Sequence, residues 1–170
     1  KTIVSKTGER ISTLEGTSAG FVVDTKPDPQ LARVMDNLFV GSQDSTQNLL
    51  GCEENKITHV LNLVEGISPA FPDKFTYRTI PILDVEESGL DEVLGDCFEF
   101  IDNAINNGGS CLVHCNAGVS RSCSVVLAYR MKKEPTLTYE QALKELREIR
   151  PAARPNDGFH KQLQKMSEGR

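Results

Sequence analysis

Tryptophan is absent from the chain, and no apolar run approaches the roughly 20 residues that span a bilayer, so a membrane-spanning helix is not expected. The first residues, KTIVSKTGER, lack the apolar core of a secretory signal. The chain opens on Lys1 and not on a methionine, which leaves an address upstream of it open. Charge of one sign is nowhere concentrated. The 19 Lys and Arg face 24 Asp and Glu, a net charge of −5, without the like-charge block of a nucleic-acid or membrane-binding tail. Neither nucleic acid nor a membrane is therefore an expected partner, and any anion-binding power has to be local. Five cysteines is an odd number in a chain of 170 residues, too long to need disulfide staples. Free thiols in a reducing compartment follow, so the cytoplasm is the expected location, with the nucleus open as a second.

What is present can build one compact domain, since 38% of residues are hydrophobic and the length suffices for a core of two or three layers. Residues 1–32 are rich in Thr, Ser, Gly and Lys and end near Pro27 and Pro29, which reads as a loosely structured N-terminal arm. In the body, ARVMDNLFVGS predicts a hairpin turning at Asp36 and Asn37, QDSTQNLLGCEENK a helix, and THVLNLV and FTYRTIPIL strands, the second closed by Pro81. Val93, Leu94, Cys97, Phe98, Ile101, Ala104 and Ile105 recur at three and four, giving a helix with one buried face that ends at Asn106-Asn107-Gly108-Gly109. CLVHC reads as a buried strand and SRSCSVVLAYRMKKE as a central helix, apolar almost all round. TYEQALKELREIR is amphipathic through Tyr139, Ala142, Leu143, Leu146 and Ile149, with Thr138 as N-cap and Pro151 as stop, and a last helix runs from Asp157 to about Met166. Strands alternating with helices predict an α/β fold, a central mostly parallel sheet flanked by helices.

Three of the five cysteines fall in CLVHCNAGVSRSCS, residues 111–124. Zinc is a poor fit to them. Residues four apart on a strand lie roughly 13 Å apart, and His114 points to the opposite face from Cys115, whereas zinc ligands converge to about 2.3 Å. No metal and no cofactor is expected. Cys52, Cys97, Cys111 and Cys123 read as small buried hydrophobes. Cys115 differs, because it ends a strand and opens a loop, Asn116-Ala117-Gly118-Val119-Ser120-Arg121, that leads into a helix. Successive N–H groups in such a turn form an anion nest, and the helix N-terminus adds about half a positive charge. Gly118 supplies backbone freedom, and Arg121 offers a planar fork for two phosphate oxygens. The same field favours the thiolate of Cys115. A thiolate beneath a bound phosphate monoester is placed for in-line attack on phosphorus, with nest and arginine holding the equatorial oxygens. That describes a phosphatase working through a phosphocysteine.

Breaking a phosphoester also needs a proton for the leaving oxygen, and the acidic loop after FTYRTIPIL supplies Asp84, Glu86, Glu87 and Asp91. Asp84 is favoured because it directly follows the strand. His114 reads as a hydrogen-bonding residue that fixes the loop, and Asn156 in RPNDGF either braces the phosphate or acid loop or is a plain turn residue before the last helix.

The run His114-Cys115-Asn116-Ala117-Gly118-Val119-Ser120-Arg121-Ser122 matches the His-Cys-x5-Arg-Ser/Thr signature of the cysteine-dependent protein tyrosine phosphatases. Its Ala-Gly-x-Ser-Arg-Ser core resembles the dual-specificity branch, and LFVGSQD, THVLNL, FEFID and RPNDGF extend the resemblance across about 38–166. LFVGSQD, FTYRTIPILDVEES and CFEFI resemble in particular the small atypical members associated with regulation of stress-activated protein kinase pathways. The resemblance implies a dual-specificity catalytic domain over 33–168. It implies Cys115 as nucleophile, Arg121 and residues 116–120 as the phosphate site, and Asp84 as general acid. It also gives Ser122 a hydrogen bond to the thiolate as the phosphocysteine breaks down, although an N-cap role for the helix at 121–133 is equally open to Ser122. The implied substrate is a phosphorylated protein, with a MAP kinase or an upstream kinase as candidate. Three other readings compete: a phosphatase for a non-protein phosphoester, disfavoured by neutral Asn116, Ala117 and Val119; a phospho-binding scaffold of a kinase pathway; and a redox sensor at Cys115.

Overall fold

The computed structural model describes residues 2–4, 10–13 and 26–169. Strands β1 (Thr2–Val4) and β2 (Arg10–Thr13) pair antiparallel, and the remainder of the arm before residue 26 lies outside the described residues. The body is built on β3 (Ala32–Met35), β4 (Leu38–Gly41), β5 (Ile57–Asn62), β6 (Thr76–Thr79) and β7 (Ser110–His114), in the spatial order β3-β4-β7-β5-β6. Only the β3–β4 pair of this sheet is antiparallel; β4–β7, β7–β5 and β5–β6 run parallel. The hairpin turns at Asn37, whose φ of 64° is the left-handed conformation that asparagine tolerates.

Side chains alternate across this sheet with the period of two that a strand imposes. Leu38, Val40, Leu61, Cys111 and Val113 enter one core cluster, and Phe39, Val60 and Leu112 enter the other. The larger cluster is completed by helices α2 (Asp91–Asn106), α3 (Arg121–Lys133), α4 (Tyr139–Ile149) and α5 (Asp157–Glu168). The smaller one holds Cys52 of α1 (Leu49–Glu54) and Phe75. Ser122 through Met131 are all buried, so α3 is the central helix its composition predicts. Thr138 and Gln141 form a capping box at the start of α4.

Three local expectations are corrected. The helix over QDSTQNLLGCEENK is two pieces, a 3₁₀ turn at Gln43–Gln47 and then α1, because the Asn48 side chain accepts from Gly51 N–H and starts a new helix. The strand in FTYRTIPIL, by contrast, ends just ahead of Pro81 as expected, at Thr79: Pro81 has no N–H to donate, and the chain continues through single bonds from Ile80 N–H to Asn62 O (2.9 Å) and Ile82 N–H to Leu63 O (3.2 Å). Ile149, expected on the buried face of α4, is exposed, since the helix ends there and Arg150 takes the inward position. Ser122 is the second residue inside α3; Ser120 occupies the N-cap position and makes no side-chain cap bond.

Register explains what the sheet positions. Gly41, Asn62 and His114 pair at one level across β4, β7 and β5, and Thr79 of β6 pairs with Asn62. The connections that follow Gly41, Thr79 and His114 therefore leave the same carboxyl edge of the parallel strands, where open α/β sheets gather their ligand sites. Residues 115–120 and Asp84 stand on that edge.

Candidate active site

The loop after β7 is held from outside by its carbonyl oxygens. Cys115 O faces His114 Nδ1 at 3.2 Å, Asn116 O accepts from Gln43 N–H at 2.9 Å, and Ala117 O accepts from Arg150 Nη2 at 2.9 Å. Gly118 O accepts from Arg150 Nε (3.0 Å) and Cys123 Sγ (3.4 Å), Val119 O from Arg154 N–H (2.7 Å), and Ser120 O from Ser124 N–H (2.9 Å) and Oγ (2.7 Å). A trans peptide points its N–H opposite to its C=O, so six carbonyls turned into the protein leave the following amides turned the other way. Among the described residues, none accepts a hydrogen bond from the amides of Ala117, Gly118, Val119 or Ser120. These donors form an anion nest at the start of α3.

Gly118 makes the curve possible. Its φ is 64°, and a Cβ there would lie 2.6 Å from the Gly41 carbonyl carbon and 2.7 Å from Arg150 Nη2. Arg121 Nη1 donates to Ile82 O at 3.2 Å, and its Nε is buried with no partner among the described residues. A buried donor without an acceptor is costly, and an oxyanion in the nest would satisfy it.

Cys115 Sγ lies 3.2 Å from Ser122 Oγ, and both residues are buried. The structure thus turns Ser122 toward the thiol rather than to a cap. Burial pushes the thiol of Cys52 up to about 11 and those of Cys97 and Cys123 up to about 12, and Cys111 is raised for the same reason. All five cysteines are free, and among the described residues no group of His, Cys, Asp and Glu could hold a metal.

Of the four acidic candidates after β6, Asp84 is joined to the phosphate loop through Asn156. Asn156 Nδ2 donates to Asp84 Oδ1 at 3.0 Å, while Asn156 N–H donates to Ser120 Oγ at 2.9 Å. Asn156 Oδ1 also accepts from Phe159 N–H at 2.8 Å as the N-cap of α5. The Asn156 side chain thus joins the acid loop to the first turn of α5 and is not a plain turn residue. Glu86 and Glu87 are exposed, and Asp91 sits in the first turn of α2.

Arg150 went unnoticed in the sequence. Besides its bonds to Ala117 and Gly118, its Nη2 donates to Asp28 Oδ2 at 2.6 Å and its Nη1 to Gln30 Oε1 at 3.0 Å. Asp28 N–H in turn donates to Asp44 Oδ2 at 3.0 Å. Residues 28–30 are thereby joined to the back of the phosphate loop. The available signal was an arginine at the end of an amphipathic helix, directly before Pro151; its partners, more than thirty residues away, leave no spacing to read.

Comparison with known proteins agrees with this geometry. The family model described as dual specificity phosphatase, catalytic domain, matches residues 38–168. Dual specificity protein phosphatase 19 of Mus musculus is 41% identical over 155 residues, covering 91% of this chain and 70% of that protein. The crystal structure of DUSP15 has a TM-score of 0.76 and 34% identity, covering 81% of this chain and 86% of that one. The human tyrosine phosphatase-like serine/threonine/tyrosine-interacting protein has a TM-score of 0.74 and 31% identity, over 81% and 95% of the two chains. With the family model matching most of the chain, this chain belongs to the dual specificity phosphatases, a family of cysteine-dependent hydrolases.

Proposed function

We propose that residues 33–168 form a catalytic unit that hydrolyses phosphotyrosine and phosphoserine or phosphothreonine in proteins through a phosphocysteine on Cys115. The observation that carries this reading is the outward anchoring of the carbonyls of residues 115–120, which presents the loop amides and Arg121 to a phosphoryl group above Cys115 Sγ. In the first step the thiolate attacks phosphorus, the S–P bond forms and the P–O bond to the substrate breaks. The Asp84 carboxyl gives its proton to the leaving oxygen. In the second step water attacks phosphorus and passes a proton to the Asp84 carboxylate. The S–P bond breaks, its electron pair returns to sulfur, and Ser122 Oγ donates a hydrogen bond to the departing thiolate. The sum is phosphomonoester plus water to alcohol plus inorganic phosphate.

The substrate in this reading is a MAP kinase or an upstream kinase, a proposal supported by the kinase-pathway resemblance of LFVGSQD and FTYRTIPILDVEES. Neutral Asn116, Ala117 and Val119 favour a protein monoester over a polyanionic lipid headgroup or RNA. Initial rates on phosphotyrosine, phosphothreonine and doubly phosphorylated activation-loop peptides, beside a phosphoinositide, test it. Faster turnover of the phosphoinositide would overturn the protein reading. A phospho-binding scaffold is the second reading, favoured by the likeness to the human tyrosine phosphatase-like serine/threonine/tyrosine-interacting protein; capture of a phosphorylated kinase by a Cys115→Ser protein without measurable wild-type turnover would establish it instead.

A further inference from the structure

The loop that carries Asp84 is exposed from Leu83 through Glu87, yet one helix touches it at its beginning, middle and end. Asn156, the N-cap of α5, holds Asp84 Oδ1 at 3.0 Å. Two residues on, Gly158 faces the loop backbone: a Cβ added there would overlap the Glu86 carbonyl oxygen and lie 2.7 Å from the Glu86 carbonyl carbon and Cα. One turn further, Gln162 Oε1 accepts from Leu90 N–H at 2.7 Å and its Nε2 donates to Ser88 O at 2.8 Å. Gly158 and Gln162 are four apart, so they share one face of the helix. The opposite demand on α5 is met by Phe159 and Leu163, both fully buried in the core, which makes the helix a fixed platform.

We infer that Gly158 and Gln162 are positioning residues for the proton donor: the face of α5 sets where the Asp84 carboxyl stands by gripping the backbone of residues 86–90. This rests on the reading of Asp84 as general acid. Gln162 also serves α2, whose N-cap Leu90 makes no side-chain cap bond, and a purely structural capping role is the competing account. The two accounts differ in chemistry. A leaving group that departs readily as an anion needs little protonation, whereas a phenol or alcohol of high pKa needs the proton in place, and a misplacement of about 1 Å costs on the order of 100-fold.

The test compares kcat for a nitro-activated aryl phosphate and for phenyl phosphate in the full chain and in Gln162→Leu, Gly158→Ala and Asp84→Asn. Gln162→Leu keeps the volume and removes both hydrogen bonds; Gly158→Ala pushes on Glu86 and removes none. The expected result is a fall for phenyl phosphate at least about ten-fold larger than for the activated ester in Gln162→Leu and in Gly158→Ala, in the same direction as in Asp84→Asn. Should Gly158→Ala not fold, Gln162→Leu decides alone. If Asp84→Asn shows the leaving-group dependence and Gln162→Leu loses both substrates equally or neither, α5 only supports the fold and the inference falls by itself. If Asp84→Asn shows no such dependence, the assignment of the acid falls and takes the inference with it.

Discussion

Ser122 Oγ lies 3.2 Å from Cys115 Sγ, on the first turn of the helix that the phosphate loop enters. A hydroxyl at that distance assists a thiolate leaving phosphorus more than it assists attack, because negative charge returns to sulfur in the second step. Ser122→Ala should therefore slow phosphoenzyme breakdown roughly 10- to 100-fold, the worth of a hydrogen bond to a charged group. Pre-steady-state kinetics should show a burst of released phenol followed by a slow steady state. A uniform slowing without a burst would contradict this.

Asp84→Asn should retain the Asn156 contact and lose the proton, lowering kcat for phenyl phosphate about 100-fold or more. Binding of inorganic phosphate, measured by calorimetry, should be little changed, since the nest amides and Arg121 remain. Equal loss in Glu86→Gln would move the acid elsewhere in the loop.

Arg150→Met should destabilise the protein by on the order of 3 kcal/mol and weaken phosphate binding together. The reason is that its side chain, 4% exposed, leaves Asp28 and the Ala117 and Gly118 carbonyls without their donor. Urea unfolding measures the first effect and phosphate titration the second. Full stability in this variant would show that residues 28–30 and the loop back are joined by other contacts.

The loop from His114 to Ser122 was legible because its chemistry is local: strand, glycine turn, arginine and helix follow within nine residues. The hairpin at Asn37, the one-faced helix through Leu94 and Ile101, and the buried stretch of α3 from Ser122 to Met131 were legible because their periods are short. Arg150, Gly158 and Gln162 were not, since each acts on residues 32 to 122 positions away and looks in sequence like an ordinary surface or helix residue. The end of β6 was legible in Pro81, which has no N–H to donate, whereas the break at Asn48 turns on a single asparagine cap that pattern does not weigh.

The other thiols give a prediction with a sign. Their pKa values in the fold exceed the ordinary value of 9.0, at about 11 for Cys52 and about 12 for Cys97 and Cys123. The native state favours their protonated form, so the stability they support is fully present below about pH 9 and is lost as pH rises from there toward 12. Urea midpoints should hold between pH 7 and 8.5 and fall by pH 10, and a Cys97→Ala, Cys123→Ala protein should show a shallower fall. An unchanged midpoint at pH 10 would contradict it.

Cys115 alone among the five cysteines is expected to carry the phosphoryl group. Rapid acid quench of Ser122→Ala protein during turnover of an aryl phosphate, followed by peptide mass spectrometry, tests it most directly. The expected result is one added phosphoryl group on the peptide containing Cys115 and none in Cys115→Ser, which should also lose turnover. A phosphoryl group on another residue, or undiminished turnover in Cys115→Ser, would contradict it.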